Sequence, residues 1–178
     1  YLNWVNNIEV NESSIKWSID RYVTIGKLLK SQLKECNKAV LRLSKKERYN
    51  EDFQLLLTIP GVGSLTAMVM LLQIGDINRF KTLDKLCFYV GLVPRTYSSG
   101  DSQKTGKLIK RGRREIKIHL IECSWVAVRK DPALTSKFVE LSRTMNKNKA
   151  IIRIARKLLS RIRYILKNKE PYQIGIVQ

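Results

Sequence analysis

The residues of this chain best suited to chemistry on a phosphodiester gather in one stretch. Tyr97, Ser98 and Ser99 are followed closely by Lys104, Lys107, Lys110, Arg111, Arg113, Arg114 and Lys117, with Arg95 just ahead. Hydroxyls beside dense cations suit phosphoryl transfer, because charge develops on the nonbridging oxygens and fixed cations stabilise it. A serine nucleophile also needs a base to take its proton. The sole histidine, His119, lies beside Leu120 on what reads as a packed helix face. The residues alone therefore leave Ser98 and Ser99 open, as loop serines or as a nucleophile. Two-metal nuclease chemistry needs several converging carboxylates. Asp76, Asp84, Asp101, Glu115 and Glu122 are scattered, so no metal or cofactor is expected in this chain.

A second constellation runs Leu56-x-x-Ile59-Pro60-Gly61-Val62-Gly63-x-x-x-Ala67, the pattern of a helix-hairpin-helix. Gly61 and Gly63 let the backbone turn sharply and approach a ligand. With Ser64 as the cap, free N–H groups at the second helix's start can hold a phosphate oxygen. Such a contact reads backbone, not bases. The same residues also fit an αα-corner that needs glycine for its turn alone. A third constellation lies near the C-terminus. Ile151, Ile154, Ala155, Leu158, Ile162 and Ile165 mark one helical stripe, with Lys149, Arg153, Arg156, Lys157, Arg161, Arg163 and Lys167 beside or opposite it. No acidic residue falls between Glu140 and Glu170. A merely solvated helix mixes signs, so one-sign charge favours a face that tracks phosphates, with Arg153 and Lys157 as contacts.

The elements that must position these residues read as helices. Ile15, Ile19, Tyr22, Gly26, Leu29, Leu33, Cys36, Val40 and Leu43 follow a 4-3 alternation, the spacing of a coiled-coil seam. That seam calls for a second copy, giving a homodimer or higher oligomer, or for an antiparallel partner segment. Tyr49 and Asn50 break the pattern, which separates a coiled-coil or linker helix at 1–50 from a compact domain at 51–178. In the domain, short helices end near Ile59, Ile74 and Val90. One long irregular region, Gly91 to Gly112, follows, and such loops in compact domains are usually functional; Leu108 and Ile109 after Thr105-Gly106 are compatible with a β-hairpin inside it. Asp131-Pro132 opens a further helix, and the last runs from about Lys149 to Lys167. The fold class is all-α.

Composition bounds the partners. Of 178 residues, 34 are Lys or Arg and 15 Asp or Glu, for a net charge of +19. Charge on that scale points to a polyanion, with nucleic acid first and a membrane surface second. No stretch approaches the ~18 apolar residues of a membrane span. Cys36, Cys87 and Cys123 lack metal-site or disulfide spacing and read as small buried hydrophobes in a reducing, cytoplasmic setting. The start at Tyr1, without Met, reads as a piece of something longer.

The order of these motifs resembles a known family. Leu57-Thr58-Ile59-Pro60-Gly61-Val62-Gly63 is followed by Ile74-Gly75-Asp76, Arg79-Phe80 and Tyr89-Val90-Gly91-Leu92-Val93-Pro94-Arg95. Ser98-Ser99-Gly100, Gly106, Lys110-x-Gly112, Ala155-Arg156-Lys157-Leu158 and Tyr172 complete the series. From about Phe53 to Tyr172 the chain is similar to the C-terminal domain of insertion-sequence transposases with an N-terminal RNase-H-like DEDD domain, the bridge-RNA-guided recombinases. The heptad helix resembles the coiled coil that links the two domains. The resemblance implies bacterial DNA transposition by strand exchange, with DNA and a structured RNA as partners. It also implies dimers or tetramers, and a cytoplasmic protein that joins the nucleoid when bound. It places the nucleophilic serine at Ser99 rather than Ser98, and Mg2+ in the DEDD domain, which this chain lacks; such a fragment is expected to be inactive alone. The family's usual Leu-Arg stands here as Ile116-Lys117, which keeps charge but loses the bidentate fork. A non-catalytic helix-hairpin-helix module that binds DNA or RNA, or only dimerises, is the alternative.

Overall fold

The computed structural model describes residues 2–99, 102–109 and 111–175, with backbone alone at residues 2, 6, 96–99, 102–105 and 107. Two compact units divide between Leu43 and Ser44. The first holds a short helix α1 (Leu2–Asn6) and most of a long helix α2 (Ser13–Ser44). At 1.5 Å per residue α2 is roughly 48 Å long. Its seam residues Ile15, Tyr22, Leu29 and Leu33 are exposed, by 47, 76, 63 and 61% respectively. Ile19, Val40 and Leu43 are half-buried, and Cys36 is exposed rather than buried as expected.

The second unit is helical with one hairpin. Its elements are α3 (Glu47–Leu57), α4 (Ser64–Ile74), a 3-10 turn (Ile77–Arg79), α5 (Leu83–Val90), β1 (Pro94–Ser99), β2 (Ser102–Leu108), α6 (Arg114–Lys130), α7 (Pro132–Thr144) and α8 (Lys147–Asn168). Tyr49 and Asn50 do not break the chain. They lie inside α3, and the break falls earlier, where Lys46 is extended at φ −66° and ψ 141°. Within the region expected to be irregular, the β-hairpin with which Leu108 and Ile109 were compatible is present as a two-stranded antiparallel pair, its ladder interrupted by a bulge between Pro94 and Thr96. The regularly paired residues Thr96 to Ser99 and Ser102 to Thr105 are almost all polar, so no apolar-polar alternation marks the strands.

Helix α8 organises the core. Ile154, Ala155, Leu158, Leu159 and Ile162 are all fully buried, and the helix packs against α3, α5, α6 and α7. Each fully buried Leu or Ile contributes about 1.5–3 kcal/mol relative to exposure. Asp131 then fixes both the start of α7 and the chain beyond α8. Its Oδ1 accepts from the Leu134 N–H at 3.1 Å. Its Oδ2 accepts from Arg161 at 2.7 Å, from the Tyr172 hydroxyl and from the Gly175 N–H at 3.4 Å. The carboxylate is fully buried, a costly state for an unpaired charge. Burial alone would push its pKa up, but the donors from Tyr172, Leu134, Arg161 and Gly175 more than offset this and hold it below the usual carboxylate value. Lys169 pairs with Asp52 and, at 3.6 Å, with Glu51, and the Tyr172 N–H donates to Thr58 Oγ1 at 2.8 Å.

Candidate nucleic-acid interface

The hairpin is clamped at its neck by two glycines. Gly91 ends α5 at φ 84°, and Gly112 precedes α6 at φ 111°. A Cβ on Gly91 would lie 2.6 Å from the Arg111 carbonyl oxygen, and one on Gly112 2.7 Å from the Gly91 nitrogen. Two backbones can meet this closely only without side chains. The Arg113 N–H donates to the Tyr89 carbonyl at 3.0 Å and the Ile109 N–H to Val93 at 3.0 Å, which closes the neck.

From the neck the strands carry the serine outward. Ser99 pairs with Ser102, Ser98 with Gln103 and Tyr97 with Lys104. At about 3.3 Å per residue, Ser99 stands roughly 17 Å along the strand from Pro94. The cations expected to crowd around the serine divide accordingly. Arg111, Arg113 and Arg114 are exposed at the neck. Half-buried Lys117 lies with them, its Nζ 3.5 Å from where a Gly91 Cβ would sit. These four are therefore not beside Ser99, because strand pairing separates residues that a compact loop would gather. Arg95 is exposed at the start of β1, and Lys104 and Lys107 lie on β2. The side chains of Ser99, Lys104 and Lys107, and Lys110 as a whole, lie outside the described residues.

Between the hairpin base and α8 runs a groove of about 1130 Å³. Leu92, Pro94 and Leu108 contribute apolar surface, Lys149, Arg153, Arg156 and Lys157 form its cationic wall, and among the described residues no carboxylate lines it. Arg153 and Lys157, singled out from the sequence, are both exposed here. Arg156 reaches the same groove while its guanidinium also holds Asp84 at 2.9 Å. Two further cations of α8 have structural tasks. Arg161 neutralises Asp131, and Arg163 donates to the carbonyls of Phe80 and Lys81 at 3.1 and 2.9 Å. Periodicity could not separate these roles, since the partners lie far along the chain.

The turn between α3 and α4 places its glycines differently. Gly61, at φ 90°, faces α6: an added Cβ would meet the Cys123 carbonyl oxygen and Val126 at 2.8 Å, and Cys123 Sγ donates to the Gly61 carbonyl at 3.0 Å. Gly63 lies open, with nothing within 4 Å of where its Cβ would be. Gly63, not Ser64, is the N-cap of α4, and no side chain caps that end. Ser64 is instead the first helical residue. Thr66 Oγ1 and His119 Nδ1 lie 3.3 Å apart, part-buried between α4 and α6. Burial pushes the Cys123 thiol up to about 11 and raises that of Cys87, so both behave as neutral packing groups.

A second concavity, unanticipated in the sequence, opens beside the neck. Arg79, Lys85, Phe88, Tyr89, Arg111 and Arg113 line it. They come from three separate segments, and no local pattern links them.

Comparison with known proteins places this basic helical domain among the transposases. Over residues 53–140 the chain matches the model of the Transposase IS116/IS110/IS902 family. It is 33% identical over 130 residues to the transposase for insertion sequence element IS1111A of Coxiella burnetii, covering 71% of this chain and 36% of that protein. It is 34% identical over 127 residues to the pilin gene-inverting protein of Moraxella bovis, covering 69% and 39%. An insertion element IS110 protein of Streptomyces coelicolor is 31% identical over 120 residues, covering 67% and 30%. The chain thus spans about a third of the length of the curated relatives it matches. Among the described residues, no helix is long and apolar enough to cross a membrane.

Proposed function

We propose that this chain is the part of a transposase that grips DNA during recombination and supplies Ser99 as the nucleophile. The observation that carries the binding half is the groove beside α8, which among the described residues has four cationic side chains and no carboxylate. A phosphate backbone entering it displaces counterions, which makes such contacts favourable and salt-dependent. In this reading the uncapped start of α4 at Gly63 adds a backbone contact. The hairpin reaches from the groove toward the scissile phosphate, and Ser99 forms a P–Oγ bond as a backbone P–O bond breaks, the hydroxyl proton passing on balance to the departing oxygen. Mg2+ belongs to a nuclease-type domain of the whole protein. Among the described residues no three His, Cys, Asp or Glu side chains converge to hold a metal, so none is assigned to it. A structured RNA is proposed as a second polyanion for the same surface.

The binding half is tested by affinity for a labelled DNA duplex and a structured RNA across a salt series. Removing two phosphate contacts with Arg153→Ala and Lys157→Ala should lower the logarithmic salt slope for duplex DNA by about 1.8, at roughly 0.9 per contact. An unchanged slope would remove the groove from the interface. The catalytic half is tested in a complete parent transposase. Ser99→Ala should abolish recombination and leave duplex binding intact. Retained recombination would favour the second reading, a module that binds nucleic acid without chemistry. The roughly 17 Å between Ser99 and the base of β1 supports that alternative, because it keeps the neck cations off the serine.

A further inference from the structure

The concavity beside the neck, about 590 Å³, combines features that the α8 groove lacks. Phe88 leaves 61% of its surface exposed there, and Arg79, Lys85, Arg111 and Arg113 line the same space with no carboxylate among the described lining residues. Two of the guanidiniums are held in place by one tyrosine. Arg79 lies 4.7 Å from the centroid of the Tyr89 ring and 4.5 Å from that of Phe80, and Arg113 lies 5.5 Å from Tyr89. Arg113 Nε also donates to the Tyr89 hydroxyl at 3.0 Å, and that hydroxyl donates to the Gln73 carbonyl at 2.6 Å. Among the described residues none of the four cations has a carboxylate partner. Like charges fixed in this way repel until an anion arrives, and groups positioned beforehand lose little freedom when it does.

The exposed phenyl ring identifies which anion. A base in a duplex has both faces covered by its neighbours, whereas an unpaired base offers a face that any aromatic side chain can stack upon. A protein partner would have to supply several carboxylates around an apolar tip, while a nucleotide brings a ring and a phosphate in one unit. The volume is also of the size that holds small ligands. We propose that this pocket holds an unpaired nucleotide of a single strand, with its base stacked on Phe88 and its phosphate between Arg111 and Arg113. The proposal rests on the reading that the domain binds nucleic acid, and adds to it a site selective for single strands.

The test uses the chain with a short oligonucleotide carrying 2-aminopurine, whose emission is quenched by stacking. It is presented as single-stranded DNA, as single-stranded RNA and as a blunt DNA duplex. Single strands should bind with quenching. Phe88→Ala should weaken that binding by about fivefold or more and remove the added quenching, while duplex affinity moves less than about twofold. Phe88→Tyr should restore both, and whichever single strand binds more tightly identifies the source. Because Phe88 is exposed, its truncation leaves the core intact. If Phe88→Ala changes single-strand and duplex binding equally, or neither, the pocket assignment is overturned. The Arg153→Ala, Lys157→Ala variant then shows separately whether the groove still holds duplex. If the wild-type chain binds no nucleic acid, both the pocket and the groove assignments fall.

Discussion

Gly91 and Gly112 close the hairpin's neck, and the cost of filling that contact can be estimated. At Gly112 an alanine would adopt a left-handed φ, costing about 1–2 kcal/mol. Its methyl would also meet the Gly91 backbone at 2.7–2.8 Å, and overpacking of this kind costs about 1–3 kcal/mol more. Gly112→Ala should therefore destabilise the domain by about 2–5 kcal/mol in denaturant melts. Gly63→Ala is the matched control, since its φ is −95° and nothing lies near; it should cost about 1 kcal/mol or less, through the poorer N-cap alone. Equal effects at the two positions would show that the neck is not a tight crossing. The helix stop at Gly91 was legible in the sequence, whereas Gly112 stood there only as part of a motif. Their contact was not legible, because it joins residues on either side of a hairpin whose mostly polar strands carry no apolar alternation. The same limit applies to Ser99. A resemblance singles it out, but only strand pairing shows its distance from the cations that composition had placed beside it.

At the level of elements, the helices were legible wherever one face is buried. The stripe of α8, the Asp131-Pro132 start of α7 and the glycine stop of α5 were all readable from spacing and caps. What spacing could not show was the work of individual polar groups, such as Arg161 and Tyr172 converging on Asp131. That cluster predicts an alkaline weakness. Burial and the adjacent Asp131 push the Tyr172 hydroxyl from 10.0 up to about 12. The Lys169 ammonium is also raised from 10.5: burial opposes the shift, but Asp52 and Glu51 outweigh it. Above about pH 10 the unfolded chain begins to lose these protons while the folded chain keeps them. The folded state then binds more protons, so stability falls as pH rises, until both states are deprotonated beyond about pH 12. Thermal melts across pH 9–12 should show this decline. Tyr172→Phe should start about 1–3 kcal/mol lower at neutral pH, because a buried carboxylate loses a donor, and should decline less steeply in alkali. A decline of equal steepness in both proteins would detach the effect from Tyr172. Asp131 has the opposite sign, its contribution being present at neutral pH and lost as pH falls below about 3.8.

For the molecule as a whole, the open questions are what the +19 charge repels and what the α2 seam attracts. Leu29 and Leu33 expose 63% and 61% of their surfaces on that seam, beside Leu28 and Ile25 at 59% and 51%. Burying such residues against a second copy contributes up to about 1.5–3 kcal/mol each, and we propose that two α2 helices pair along it. Lys16, Arg21, Lys27, Lys30, Lys34, Lys38 and Arg42 oppose the pairing, with only Asp20 and Glu35 against them. Salt screens that repulsion within about 10 Å at 0.1 M. Dimerisation should therefore strengthen with added salt while nucleic-acid binding weakens, so one titration separates the two processes. Sedimentation should show a monomer–dimer equilibrium that shifts toward dimer between low and moderate salt. Leu29→Glu with Leu33→Glu should hold the chain monomeric at every salt concentration without lowering the melting temperature of the second unit. Gly26→Ala, at a position with open space around it, should favour the helix by about 1 kcal/mol and tighten the dimer. A chain that stays monomeric at all salt concentrations would assign the seam to a different covering segment, with the antiparallel hairpin as the arrangement to test next.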